Sequence, residues 1–203
     1  LPLALGGGDA VNGEVVLDGV KVQVHWDDGD TFKVPSTGLK ARLLGYNTLE
    51  SYGAVHRFGP GEEALLKVAN EATSLATSKA WVCSVTDGEG GYGRRSVDCP
   101  GLRRALLEAG LAHTFSVDGP APADDRAAQN LAIKNLSGMW SGGPQRTILT
   151  SVHSMDEKRK DETASSTYNR VYTVSTGQAL RGRTRNWCHE RWHHARQLRH
   201  DYY

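Results

Sequence analysis

Between residues 20 and 46 apolar and polar side chains alternate in three short runs, each separated from the next by a turn, and this stretch commits the chain to an antiparallel sheet. Val20-Lys-Val-Gln-Val-His-Trp26 is the first run, residues 31 to 34 the second and residues 41 to 46 the third. Asp27-Asp-Gly-Asp30 and Pro35-Ser-Thr-Gly38 lie between them, because glycine and short polar side chains tolerate the backbone angles of a tight reversal. A second alternating pair, residues 81 to 86 and 94 to 99, flanks an Asp-Gly-Glu-Gly-Gly turn starting at Asp87. In that hairpin Cys83 and Cys99 fall nearly opposite one another.

Three other segments have helical spacing. Ala64, Leu65, Val68, Ala69, Ala72, Leu75 and Ala76 recur every three or four positions along residues 61 to 78. Leu102, Ala105, Leu106 and Ala109 make a shorter stripe closed by Gly110, the residue best suited to a left-handed helix end. Ala128, Leu131, Ala132 and Leu136 make a third, over residues 124 to 136, with Gly138 as its stop. The order predicts an α+β chain, mainly β: a five-stranded OB-type barrel with three helices over residues 12 to 140. Residues 141 to 203 are expected to form a C-terminal extension, a hairpin from residues 147 to 153 and 168 to 174 followed by a basic helix after residue 185.

The chain's charge is divided along its length. Up to residue 140 there are 13 Lys and Arg against 17 Asp and Glu; beyond it there are 11 against 6, with five of the eight histidines. Such a basic tail, with Trp187 and Trp192 among its arginines, suits either a nucleic-acid backbone or a solvated face. His189-Glu-Arg-Trp-His193 has the HExxH spacing of a zinc site, but Arg191 places a charge inside a helix that such sites bury, so an exposed basic helix is the reading. No apolar run approaches the ~18 residues of a membrane span. Leu1-Pro-Leu-Ala-Leu5 lacks a basic start and reads at most as the trimmed remnant of a signal peptide. The three cysteines are too few for a disulfide scaffold and none has CxxC spacing; for Cys83 and Cys99 a bridge and two buried thiols are both open.

Candidate chemistry lies in Asp28-Gly-Asp-Thr31, Arg42-Leu-Leu-Gly-Tyr-Asn-Thr-Leu-Glu50 and Tyr92-Gly-Arg94. If the strands close as expected, Arg42, Glu50 and Arg94 line one mouth of the barrel. Cleavage of a phosphodiester by water needs a base for the nucleophile and fixed positive charge for the phosphoryl oxygens, and a glutamate with two arginines is such a set. A guanidinium fork holds two phosphate oxygens at once and keeps its proton. Asp30, Asn47 and the Thr48 carbonyl are hard oxygen ligands of the kind calcium takes.

These segments, with FGPGEEA before the first helix, EAGLA at residues 108 to 112 and the closing Gly138-Met-Trp140, make residues 20 to 140 resemble the staphylococcal (micrococcal) nuclease family of thermonuclease-like OB-fold enzymes. The resemblance implies a hydrolase, a calcium-dependent endonuclease of DNA and RNA with little base preference that leaves 5′-hydroxyl and 3′-phosphate ends. It implies Arg42 and Arg94 on the phosphate, Glu50 on the attacking water, Asp30, Asn47 and Thr48 as metal positions, Asp28 as an outer carboxylate and Tyr92 against the nucleotide. A monomer, secreted or periplasmic, is expected. The chain departs from the family at Asn47, where a second aspartate is usual, at Leu49, where proline is usual, and at His113-Thr-Phe-Ser116, where a base-stacking tyrosine is missing. Fewer ligand charges weaken calcium binding. The alternative reading is a catalytically silent OB module that binds nucleic acid or protein.

Overall fold

The alternating runs are strands in a computed structural model that describes residues 11–49, 62–90, 93–143, 146–149 and 168–181. The first is one that the sequence reading lacked: β1 (Val11–Leu17) pairs antiparallel with β2 (Val20–Trp26). Asp18 and Gly19 connect them, both with positive φ (49° and 82°), which is the two-residue reversal that matches strand twist. β3 (Thr31–Val34) and β4 (Leu39–Leu43) continue the meander. After the segment that holds α1 (Glu62–Thr77), β6 (Trp81–Gly90) and β7 (Arg94–Asp98) form the second hairpin.

Two parallel pairings turn this sheet into a closed barrel in the order β1-β2-β3-β4-β7-β6. β1 lies against β6 with Val15 opposite Trp81 and Leu17 opposite Cys83; β4 lies against β7 with Ala41 opposite Arg95 and Leu43 opposite Val97. The barrel therefore has six strands and not the expected five, since β1 is needed to close it. Val15, Val24, Trp26, Phe32, Leu43 and Val97 fill the interior, with Trp26 and Phe32 edge to face at 5.0 Å between ring centres. Val68, Ala69, Ala72 and Ala76 seat α1 on that core, as its spacing predicts. Cys83 and Cys99 are joined by a disulfide.

β4 does not run on to Tyr46. The chain breaks at Gly45 and starts β5 (Tyr46–Thr48), which pairs with β8 (Ala112–Thr114) in a small separate sheet. α2 (Pro100–Glu108) buries Leu102, Leu106 and Leu107. α3 (Ala123–Lys134) buries Asp125, Ala128, Gln129 and Ala132, so Leu131 and Leu136, expected inside, are half exposed. The polar members of that inner stripe have partners within the protein: Asp125 is ion-paired to Arg103, and Gln129 accepts from Thr114 N–H and donates to Val174 O, both at 2.8 Å. The helix stops before Gly138, at Lys134, and Leu136 already has a positive φ of 52°.

Gly110, after α2, and Gly138, in a short 3-10 turn (Gly138–Trp140), approach so closely that a Cβ on either would stand 2.2 Å from the other segment's carbonyl oxygen. Beyond them, β9 (Thr147–Leu149), β10 (Tyr168–Thr173) and β11 (Gln178–Arg181) form a three-stranded sheet. The expected pairing of β9 with β10 is present; β11 was not foreseen. Tyr172, Val174 and Ala179 are buried, with Tyr172 packed on the rings of His113 and Phe115, so this hairpin is seated on β8 and α3. The basic helix expected after residue 185, with the HExxH stretch, lies outside the described residues. No described helix is long and apolar enough to cross a membrane.

Candidate active site

Residues 27 to 30 form the bend from β2 to β3, and four hydrogen bonds fix its shape. Asp27 N–H donates to Thr31 O and Leu43 N–H to Asp30 O, each at 2.9 Å. Asp28 Oδ1 accepts from Asp30 N–H at 3.0 Å, the local bond that makes aspartate a turn former. The buried Tyr46 hydroxyl donates to Gly29 O at 2.9 Å. A Cβ on Gly29 would stand 2.6 Å from Thr48 Cγ2 and 3.0 Å from Ala72 Cβ, so glycine lets the bend press against β5 and α1.

Sheet register then delivers Arg42 to this bend. In β4 it faces Thr31 of β3 on one side and Ser96 of β7 on the other. Its Nη1 is ion-paired to Asp30 Oδ1 and reaches Thr31 Oγ1 at 3.5 Å, while Nη2 donates to Asn47 Oδ1. The rest of the Asp30 carboxylate is also engaged: Oδ1 accepts from Thr31 Oγ1 at 2.9 Å, and Oδ2 from Thr48 N–H at 2.8 Å and Thr48 Oγ1 at 3.3 Å. Asp28, Asp30, Arg42, Asn47 and Thr48, drawn from three segments, thus meet in one cluster. Arg94 stands two residues before Ser96 on β7, and side chains two apart share a strand face, so it belongs to the face that Arg42 occupies.

The cluster is buried, and its titrations reflect that. Burial pushes the Asp28 carboxyl up to about 6, helped by the charge of Asp27 and opposed by Arg42 and Arg94. Arg94 is thereby within electrostatic reach of Asp28. His113, paired across the small sheet with Asn47, is pushed down to about 4 by burial, against a hydrogen-bonding contact of Nδ1 with Thr114 O at 2.9 Å and with the Arg42 charge adding to the effect. The Tyr46 hydroxyl is held well above its usual range, again by burial, and stays a donor.

The expected residues Asp28, Asp30, Arg42, Asn47 and Thr48 are therefore placed together at this end of the barrel, and Arg94 lies on the same strand face as Arg42, its charge felt at Asp28. Glu50, the expected base, and Tyr92, the expected nucleotide contact, lie outside the described residues, as does the loop with His56 and Arg57. Sequence reasoning gave no role to Tyr46, Thr31 or His113; the first two stand inside the quoted motifs, and only their partners in space reveal what they do.

Calcium takes six to eight oxygens. Asp30 and Asn47, expected among them, direct their oxygens at Arg42, Thr31 and Thr48. Among the described residues no group of three or more His, Cys, Asp or Glu side chains is placed so that it could hold a metal ion. As arranged, these residues do not fit a calcium ion. No protein-family model matches the chain, and a search of curated proteins finds no match.

Proposed function

We propose that the chain is a nuclease of the staphylococcal kind, a monomeric hydrolase that cuts DNA and RNA with little sequence preference on an OB-type barrel. What supports the reading is the meeting of Asp28, Asp30, Arg42, Asn47 and Thr48 in one cluster, with Arg94 close enough for its charge to be felt at Asp28. Motif residues that were merely ordered along the chain are neighbours in space.

In this reading Arg42 and Arg94 hold the non-bridging oxygens of the phosphodiester and stabilise the charge that grows on them. Glu50 takes a proton from water as its oxygen attacks phosphorus; the bond to the 5′ oxygen breaks, that oxygen takes a proton from solvent and leaves as a hydroxyl, and Glu50 returns its own proton to solvent. The products are a 3′-phosphate and a 5′-hydroxyl. Calcium belongs to the reading as the ion the resemblance implies. The Cys83–Cys99 disulfide supports a secreted or periplasmic setting, since such bridges persist in oxidising compartments.

A second reading, a silent module that binds nucleic acid or protein, is favoured by one observation: Arg42 is already bonded to Asp30 and Asn47. Digestion of plasmid DNA and of RNA with calcium, magnesium or chelator separates the two. The nuclease reading expects cleavage, reduced about 10²–10³-fold in Arg94→Ala. Binding without cleavage under every condition would leave only the silent module.

A further inference from the structure

We infer that Arg42 is the resident cation of this cluster, filling the place between Asp30 and Asn47, so that a divalent ion enters only by expelling its guanidinium. The inference does not depend on the proposed activity. It begins with Asp30, whose side chain is 2 % exposed and whose buried charge requires a counter-charge. The sheet supplies one permanently: pairing of Thr31 with Arg42 sets the guanidinium beside Asp30, where it is itself four-fifths covered, its side chain 21 % exposed.

The fork geometry matters as much as the charge. One nitrogen serves Asp30 and Thr31 and the other serves Asn47, so a single planar group satisfies oxygens from two elements, a task for which a compact ammonium lacks the reach. Asn47 fits this arrangement because its amide oxygen accepts from Arg42 without adding a negative charge. The buried negative charge of Asp30 is thus already matched by the guanidinium of Arg42. A divalent ion added to that pair would meet a guanidinium already in place, and its approach to Asp30 Oδ1 and Asn47 Oδ1 is blocked by the atoms bonded there. Entry of the ion and departure of Arg42 are therefore one event.

The test is calcium titration of the full chain by calorimetry, with no nucleic acid present, for wild type, Arg42→Gln and Asn47→Asp. Arg42→Gln keeps an uncharged amide and releases Asp30 Oδ1; it is expected to bind calcium at least tenfold more tightly than wild type and to show a calcium-dependent rise in melting temperature larger than that of wild type. Asn47→Asp adds a charged ligand and is expected to bind more tightly as well. Equal calcium affinity of wild type and Arg42→Gln, or no binding by either, would overturn the inference. Should Arg42→Gln fail to fold, Arg42→Lys decides: it retains the charge but cannot span Asp30 and Asn47 together, so it is expected to bind calcium at least threefold more tightly than wild type, and an affinity no higher than wild type would refute the proposal. A chain that cuts neither DNA nor RNA would sink the nuclease reading, whereas the calcium affinities measured without nucleic acid would stand as they are.

Discussion

Acid weakens this protein through His113, and the size of the effect follows from its burial. The imidazole titrates at about 4 in the folded chain against 6.5 for an ordinary histidine. Above pH 6.5 the ring is neutral in both the folded and the unfolded chain, and the folded state loses nothing. As pH falls below 6.5 the unfolded chain takes up a proton that the folded chain refuses, and stability drains away until about pH 4, below which both are protonated. At about 1.4 kcal/mol per tenfold change in proton affinity, the full loss is on the order of 3 kcal/mol, most of it complete by pH 4.5. The assay is urea unfolding of wild type and His113→Leu at pH 7.5 and at pH 4.5. The variant has its own offset, from the lost contact with Thr114 O and altered packing on Tyr172, but that offset is present at both pH values and cancels. Wild type is expected to lose about 2–3 kcal/mol more than the variant between the two, roughly a 1 M difference in midpoint shift at an ordinary urea dependence. Parallel losses in the two proteins would mean that His113 is protonated in the folded chain, and the argument from burial would fail.

Three further outcomes follow from other parts of the fold. Replacing Cys83 and Cys99 together with alanine opens a bridge between positions 16 apart, and thermal unfolding should report a loss of about 3 kcal/mol, the chain-entropy value for a loop of that size; an unchanged melting temperature would contradict it. Tyr46→Phe strips the buried Gly29 carbonyl of its donor and should cost about 1–2 kcal/mol in urea unfolding, whereas a neutral result would mean that the bend is held without it. Gly110→Ala puts a methyl 2.2 Å from Ser137 O at a φ of 70°, and a loss above about 2 kcal/mol is expected; wild-type stability in this variant would show that the two segments can part freely.

Much of this architecture was legible because period and turn chemistry act locally. β2, β3, β6 and β7 and the faces of α1 and α2 follow from alternation or from three- and four-residue recurrence. β1 escaped although Asp18-Gly19 is a hairpin signal, because Asn12, Gly13 and Glu14 dilute the alternation before it. α3 misled for a different reason: Gln129 and Asp125 sit inside because Thr114, Val174 and Arg103 satisfy them, and no pattern in the helix itself announces partners that far away. The same limit applies to the site. The motifs marked Arg42, Asp30 and Asn47 as belonging together, but assigned arginine and carboxylate to different tasks; that they bond one another depends on the register of β3 with β4.

The Gln129 amide also sets an order on how the chain is made. Val174 follows it by 45 residues, which at a synthesis rate of roughly 5–20 residues per second is a wait of roughly 2 to 9 seconds on the ribosome. When that interval opens every strand of the barrel has been synthesised, the last ending at Asp98, yet one flank of α3 and, once it is made, the ring of Trp140 have no cover from the hairpin that later carries Val174. The nascent chain thus stays open to capture by chaperones or proteases on that flank after its last barrel strand is made, and a message truncated inside that window would yield a product with a finished sheet and an unsealed side.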